Sequence, residues 1–127
     1  MKDFKIYYEI DASTEDVWNA FTNPVAIALW TGYQPVFSLE PGSEFELWEG
    51  DICGQILSVN PGKELVQKWY FGDQEEDSIV TIKIHPDKSE SCKVEVRHSN
   101  IPDDDYDDIV EGWKEYYLGA IADFVEE

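Results

Sequence analysis

The stretch DDDYDDIVEGWKEYYLGAIADFVEE, residues 103–127, decides the fold. Apolar residues recur in it at Ile109, Val110, Trp113, Tyr116, Tyr117, Ala120, Ile121, Phe124 and Val125. Steps of three and four place them on one broad stripe of a long helix. The stripe is rich in aromatic rings, so the helix must lie on a large apolar surface. The rest of the chain reads mostly as strands, which makes that surface a sheet.

Working outward, residues 4–10 alternate, with Phe4, Ile6, Tyr8 and Ile10 on one face of a half-buried strand. Ser13 or Thr14 then caps a short helix whose apolar face is Val17, Trp18, Ala20 and Phe21. Asn23-Pro24 ends it and starts another, with Ala26, Ile27, Leu29 and Trp30, which Gly32 stops. Strands are expected at 35–39, around Phe45 and Leu47, at 52–59, at 65–71, at 79–84 and from Cys92 to His98. Glu49-Gly50-Asp51 is read as a tight hairpin and 72–77 as a polar loop. In the last strand Cys92, Val94, Val96 and His98 face inward, against Lys93, Glu95 and Arg97 outward. Nothing divides or repeats within the chain, so residues 1–127 form one α+β domain around an antiparallel sheet. The final helix covers the apolar side of that sheet.

Charge bounds the partners. The chain carries 28 acidic and 9 basic side chains, a net −19, which repels phosphate backbones and anionic lipid headgroups. Nucleic acid and membranes are therefore not expected partners. The acids concentrate at 73–77 and 103–111, where solvation and helix capping explain them, or a docking surface for a basic partner. Counted as a calcium loop from Asp103, the sixth and twelfth positions are Asp108 and Lys114, so the EF-hand template fails. Cys53 and Cys92 belong to no Cys-x-x-Cys pair and read as reduced, buried thiols. No apolar run approaches the ~20 residues of a membrane span, and the start of the chain is unlike a signal peptide. A cytoplasmic location is expected.

The order of several short motifs resembles the activator of heat-shock-chaperone ATPase family, within the START-like (SRPBCC, birch-pollen-allergen-like) superfamily. The residues that carry the resemblance are Glu15, Val17-Trp18, Phe21-Thr22 and Asn23-Pro24; Trp30; Pro41-Gly42-Ser43-x-Phe45; Gly54; the stretch 61–66; His98-Ser99-x-Ile101-Pro102; and Glu111-Gly112-Trp113. Departures include Trp30-Thr31 where the family often doubles the tryptophan, and Ser43 in place of a glycine. The resemblance implies a helix-grip fold, with a curved antiparallel sheet wrapped around the C-terminal helix and a cavity between them. It also implies functions as different as small-molecule binding, polyketide cyclisation and chaperone regulation.

The expected site is that cavity, binding a small hydrophobic molecule without catalysis. Its walls would be Trp18, Phe21, Trp30, Phe45, Leu47, Trp69, Val80, Ile82, Val94, Val96, Trp113 and Ile121, with Gln67, His98 and Tyr117 as polar groups. The same rings can instead fill the space completely. Two other readings stand beside it: a co-chaperone-like module that docks on a chaperone ATPase, and a cyclase or hydrolase using His98 as general base. No metal or cofactor motif is present in the sequence. Gly112 and Gly119 each weaken a helix by ~1 kcal/mol relative to alanine, so each calls for a reason: close approach to the sheet or room for a ligand.

Overall fold

The computed structural model describes residues 1–71, 76–88 and 90–126. Residues 72–75 of the expected polar loop, with Asp73 and Glu75 of its acidic cluster, lie outside the described residues. The elements run β1 (Lys2–Ile10), α1 (Thr14–Thr22), α2 (Pro24–Thr31), β2 (Glu44–Leu47), β3 (Ile52–Asn60), β4 (Glu64–Trp69), β5 (Ser78–Pro86) and β6 (Cys92–Ile101). A 3₁₀ turn (Asp103–Asp105) leads into α3 (Tyr106–Gly112), a π-helical stretch (Trp113–Leu118) and α4 (Gly119–Val125), which together form the C-terminal helix. The strands make one six-stranded antiparallel sheet in the order β1-β6-β5-β4-β3-β2. This is the expected α+β helix-grip. Among the described residues no helix is long and apolar enough to cross a membrane.

Local chemistry sets the first helices. The Ser13 side chain accepts from Asp16 N at 3.1 Å and caps α1. Asn23 closes α1 and opens α2, its side-chain oxygen accepting from Val25 N at 2.9 Å, and Pro24 takes the first helical position, where no N–H is required. Gly32 ends α2 at φ 83°, a left-handed conformation that side chains disfavour. At the far end the capping expected of the acids is absent: neither Pro102 nor Asp105 makes a side-chain cap bond.

The core lies between the concave sheet face and the helices. Leu65, Gln67 and Trp69 of β4 stand opposite Ile82, Val80 and Ser78 of β5, and Val80, Ile82 and Ile84 stand opposite His98, Val96 and Val94 of β6. All of these side chains are buried. Each full burial of a Val, Ile or Leu stabilises the fold by about 1.5–3 kcal/mol. α1 packs on α4 and β5, and α2 on α4. At Gly54 a Cβ would lie 1.8 Å from the Lys68 carbonyl oxygen of β4, so the two backbones approach only because glycine is there. The register shifts just beyond, between Ile56 and Ser58, which pushes Leu57 to solvent.

Three further sequence expectations change. Residues 35–39 are not a strand; Val36 makes a single bridge to Glu46, and Pro35 lacks an N–H to continue it. Glu95 faces outward but is only 5% exposed. His85 Nε2 lies 3.0 Å from one of its oxygens and Arg97 Nε bonds the other. Burial raises the Glu95 pKa, yet the bonds and charges of His85 and Arg97 outweigh it and hold the carboxyl below its ordinary range. The third change is in the helix. Gly119 N–H bonds to the Lys114 carbonyl, five residues back, so the turn is one residue wider than α. The extra residue rotates the stripe: Tyr116 is 67% exposed, while Leu118 and Ala122 are buried. Cys53 and Cys92 are free, on β3 and β6 with two strands between them; Cys92 is buried as expected, but Cys53 is only half-buried.

The two helix glycines have different reasons. At Gly119 a Cβ would sit 2.9 Å from the Lys114 carbonyl oxygen of the wide turn; at Gly112 it would meet nothing within 4 Å. We therefore expect Gly112→Ala to stabilise the protein by about 0.5–1 kcal/mol. Gly119→Ala is expected to destabilise it by about 1–3 kcal/mol, against its helix propensity. Urea unfolding of the two variants checks both signs.

Candidate functional site

The expected site residues divide into two groups. Phe45, Leu47, Val80, Ile82, Val94, Val96 and Ile121 lie in the buried core, at 0–1% exposure. Phe21 stacks on Tyr117 at 5.7 Å. Trp18 and Trp30 are half-buried at the edge of the core, and Trp30 donates its indole N–H to the Ala20 carbonyl at 2.8 Å. Beneath the C-terminal helix, Trp113 stacks on Tyr117 at 4.5 Å and on Trp69 at 5.1 Å. Rings thus occupy much of the space between sheet and helix.

His98 is the polar centre of that packing. Trp113 Nε1–H donates to His98 Nδ1 at 3.1 Å, and Ser78 Oγ lies 2.8 Å from His98 Nε2. An indole nitrogen only donates, so Nδ1 is the bare nitrogen and Nε2 carries the hydrogen. Ser78 Oγ accepts from Nε2–H and donates to the Ser99 carbonyl at 2.9 Å. The general-base role expected for His98 has no open nitrogen: both are used within the fold, and the ring is 1% exposed. Its role is to hold the helix to β5 and β6. Gln67 is also inward and fully buried; its Oε1 accepts from Trp69 Nε1 at 2.9 Å, while its Nε2 has no hydrogen-bond partner among the described residues. Burial keeps the Tyr117 phenol above its ordinary pKa, so it stays a neutral hydroxyl.

A cleft of about 290 Å³ opens where the helix crosses the β2–β3 connection. Trp69, Trp113 and Tyr117, all expected site residues, form part of its lining. The remainder is Trp48, Asp51 and Ile52 from that connection and the start of β3, with Asp108, Ile109, Gly112 and Tyr116 from the helix. None of these seven stood among the expected binding residues. A signal was present on the helix: Asp108, Gly112 and Tyr116 are spaced by four and so share a line, with a glycine gap in the middle. At the connection, Trp48 and Glu49 both adopt left-handed backbone, φ 51° and 58°. Such strain in non-glycine residues is of order 1–3 kcal/mol each and persists only where packing holds it. Here the Trp48 ring packs edge-on against Trp30 at 5.5 Å and Tyr117 at 5.7 Å.

The His98 environment has a consequence for pH. Burial pushes its pKa down to about 3, with the charge of Asp3 opposing that more weakly. The unfolded chain takes up a proton near pH ~6.5 that the folded chain refuses. The stability contributed by neutral His98 is complete above that pH and falls by about 1.4 kcal/mol per unit as pH drops below it. His98→Gln removes this linkage. The stability advantage of the wild type over His98→Gln is therefore expected to shrink from about pH 7 to about pH 5, measured by urea unfolding. A gap that stays constant would show that the histidine charges inside the fold.

Comparison with known proteins agrees with the geometry. The family described as Activator of Hsp90 ATPase homolog 1-like protein matches residues 11–126. An activator of 90 kDa heat shock protein ATPase homolog from Dictyostelium discoideum is 30% identical over 122 residues, 94% of this chain and 32% of that protein. The Hsp90 co-chaperone AHA1 of Saccharomyces cerevisiae is 26% identical over 125 residues, 91% of this chain and 36% of its own length. The chain thus spans about a third of the length of these curated relatives. The crystal structure of an HSP90 activator from Plasmodium falciparum superposes with a TM-score of 0.86 at 26% identity, covering 95% of this chain and 94% of that one. A match over nearly all of the sequence and a shared helix-grip architecture lead to one assignment: the chain belongs to the Activator of Hsp90 ATPase homolog 1-like family, on the START-like fold.

Proposed function

We propose that this chain is a non-catalytic accessory module that docks on a heat-shock chaperone ATPase and raises its turnover. The family match over residues 11–126, to relatives described as Hsp90 ATPase activators, carries the reading. Two surface features support it. Val25 and Leu29, one turn apart on α2, are 69% and 68% exposed, and Tyr33 and Val36 follow at 47% and 55%. Large apolar side chains grouped along one segment are what a partner covers. Asp103, Asp104, Asp105 and Asp107, exposed at the start of the C-terminal helix, supply negative potential that steers a basic partner surface.

The test is a chaperone ATPase assay with added protein. The wild type is expected to raise the rate. Val25→Asp with Leu29→Asp is expected to weaken the complex by about 2 kcal/mol or more. Asp103→Asn, Asp104→Asn, Asp105→Asn and Asp107→Asn together are expected to slow association and flatten its dependence on salt. A folded wild type that neither binds the chaperone nor alters its rate ends this reading.

The cleft favours a second reading, binding of a small hydrophobic molecule. Its volume sits at the small end of ligand pockets, and half of its lining residues are aromatic. Gly112→Leu puts a side chain into the open space above that glycine, on a helix it also favours. Apolar compounds retained by the wild type in native mass spectrometry are expected to be lost from Gly112→Leu. Equal retention by both proteins would place the ligand elsewhere.

A further inference from the structure

We infer that the cleft selects an organic cation, an ammonium or guanidinium group carried on a small apolar body. The inference rests on the ligand-binding reading of the cleft and names its ligand class.

The lining chemistry is asymmetric. Five of the lining residues are aromatic: Trp48, Trp69, Trp113, Tyr116 and Tyr117. Aromatic rings offer an apolar surface and a negative face that attracts cations; Tyr116 and the half-buried Trp48 are the open rings, while Trp69, Trp113 and Tyr117 are stacked and only 2–3% exposed. The charged lining groups are Asp51 and Asp108, both acids, and among the described residues no basic side chain joins them. Lysines elsewhere do find rings, as Lys2 does over Tyr106 and Lys5 over Tyr7, but neither ring belongs to the cleft. Nor do the ion pairs of the described residues include Asp51 or Asp108.

Each ligand class meets these groups differently. A neutral apolar molecule gains from the rings but gains nothing from the two carboxylates, which stay in water beside it. An anion meets the carboxylates and a chain of net charge −19. A cation with an apolar body pairs with the acids while its body covers the rings. Its charge need not be buried deeply, because both carboxylates are exposed at the rim. The site is also built from separate parts of the fold: Asp51 follows the left-handed run Trp48, Glu49 and Gly50, and Asp108 stands on α3. Folding brings the two acids to one opening, around rings that the core already holds in place.

The test compares benzyltrimethylammonium with neopentylbenzene, its uncharged carbon isostere, at constant low ionic strength. Binding is followed by NMR through the indole N–H signals of Trp48, Trp69 and Trp113. The cation is expected to shift these signals and to bind at least about tenfold tighter than the isostere, with the advantage falling as salt is added. Asp51→Asn with Asp108→Asn is expected to bring the cation down to the affinity of the isostere, and Gly112→Leu to abolish binding of both. Should the double variant fail to fold, each single substitution is expected to give part of the same loss. Equal affinity for the two probes, or a cation advantage that survives loss of both carboxylates, overturns the inference and leaves the ligand-binding reading standing. Binding of neither probe by the wild type removes both.

Discussion

An indole–imidazole hydrogen bond, made out of reach of water, sets where the C-terminal helix lies. Trp113 donates to His98 Nδ1, His98 to Ser78 and Ser78 to the Ser99 carbonyl, so one chain of bonds ties the helix to β5 and β6. Each group in it is buried or nearly so. Removing one member leaves a polar neighbour unsatisfied in a dry site, at a penalty of about 1–3 kcal/mol. Stacking of Trp113 on Trp69 and Tyr117 supplies surface, but the bonds supply position. Stacked rings tolerate sliding, whereas a donor and an acceptor tolerate a few tenths of an ångström.

The cleft follows from that constraint. With Trp113 held down onto the sheet, its neighbour Gly112 leaves the adjoining space open. The wide turn beyond then carries Tyr117 and Leu118 inward together and Tyr116 outward to the rim. An uninterrupted α-helix separates adjacent residues by about 100° and holds such a pair in the core less readily. π turns recur at functional positions in other proteins. Here the turn lies beside the opening, and the strained Trp48–Glu49 backbone forms the facing wall. Rigid aromatic packing underneath and a shallow, acid-edged opening above belong to one arrangement.

The buried packing and the open surface features are thus separated in space. The concave sheet face is buried, and its polar members His98 and Gln67 serve neighbouring tryptophans. The convex face carries ion pairs such as Lys83 with Glu64 and the His85–Glu95–Arg97 group, beside the exposed ring of Tyr7. The outer side of α2, the acids at the start of the C-terminal helix and the cleft lie at the edges of this packing. A family fold of this kind constrains architecture strongly and surface chemistry weakly.

Much of the architecture was legible because local rules governed it. Alternation marked β1, β5 and β6; Ser13, Asn23-Pro24 and Gly32 marked the ends of α1 and α2; the apolar stripe marked the long helix. Inward positions such as Trp69, His98, Trp113 and Tyr117 followed from the same periods. The failures share a cause. Glu95 reads as a solvated charge until His85 and Arg97 of neighbouring positions close over it. Tyr116 reads as core until one added residue in a turn rotates it out. Trp48, Asp51 and Asp108 carry no periodic signature that joins them, since one connection and one helix supply them and only the folded chain makes them neighbours. A repeat along an element reports which side chains share its face. The gap between two faces depends on how closely they approach, and here a buried hydrogen bond between Trp113 and His98 decides that distance.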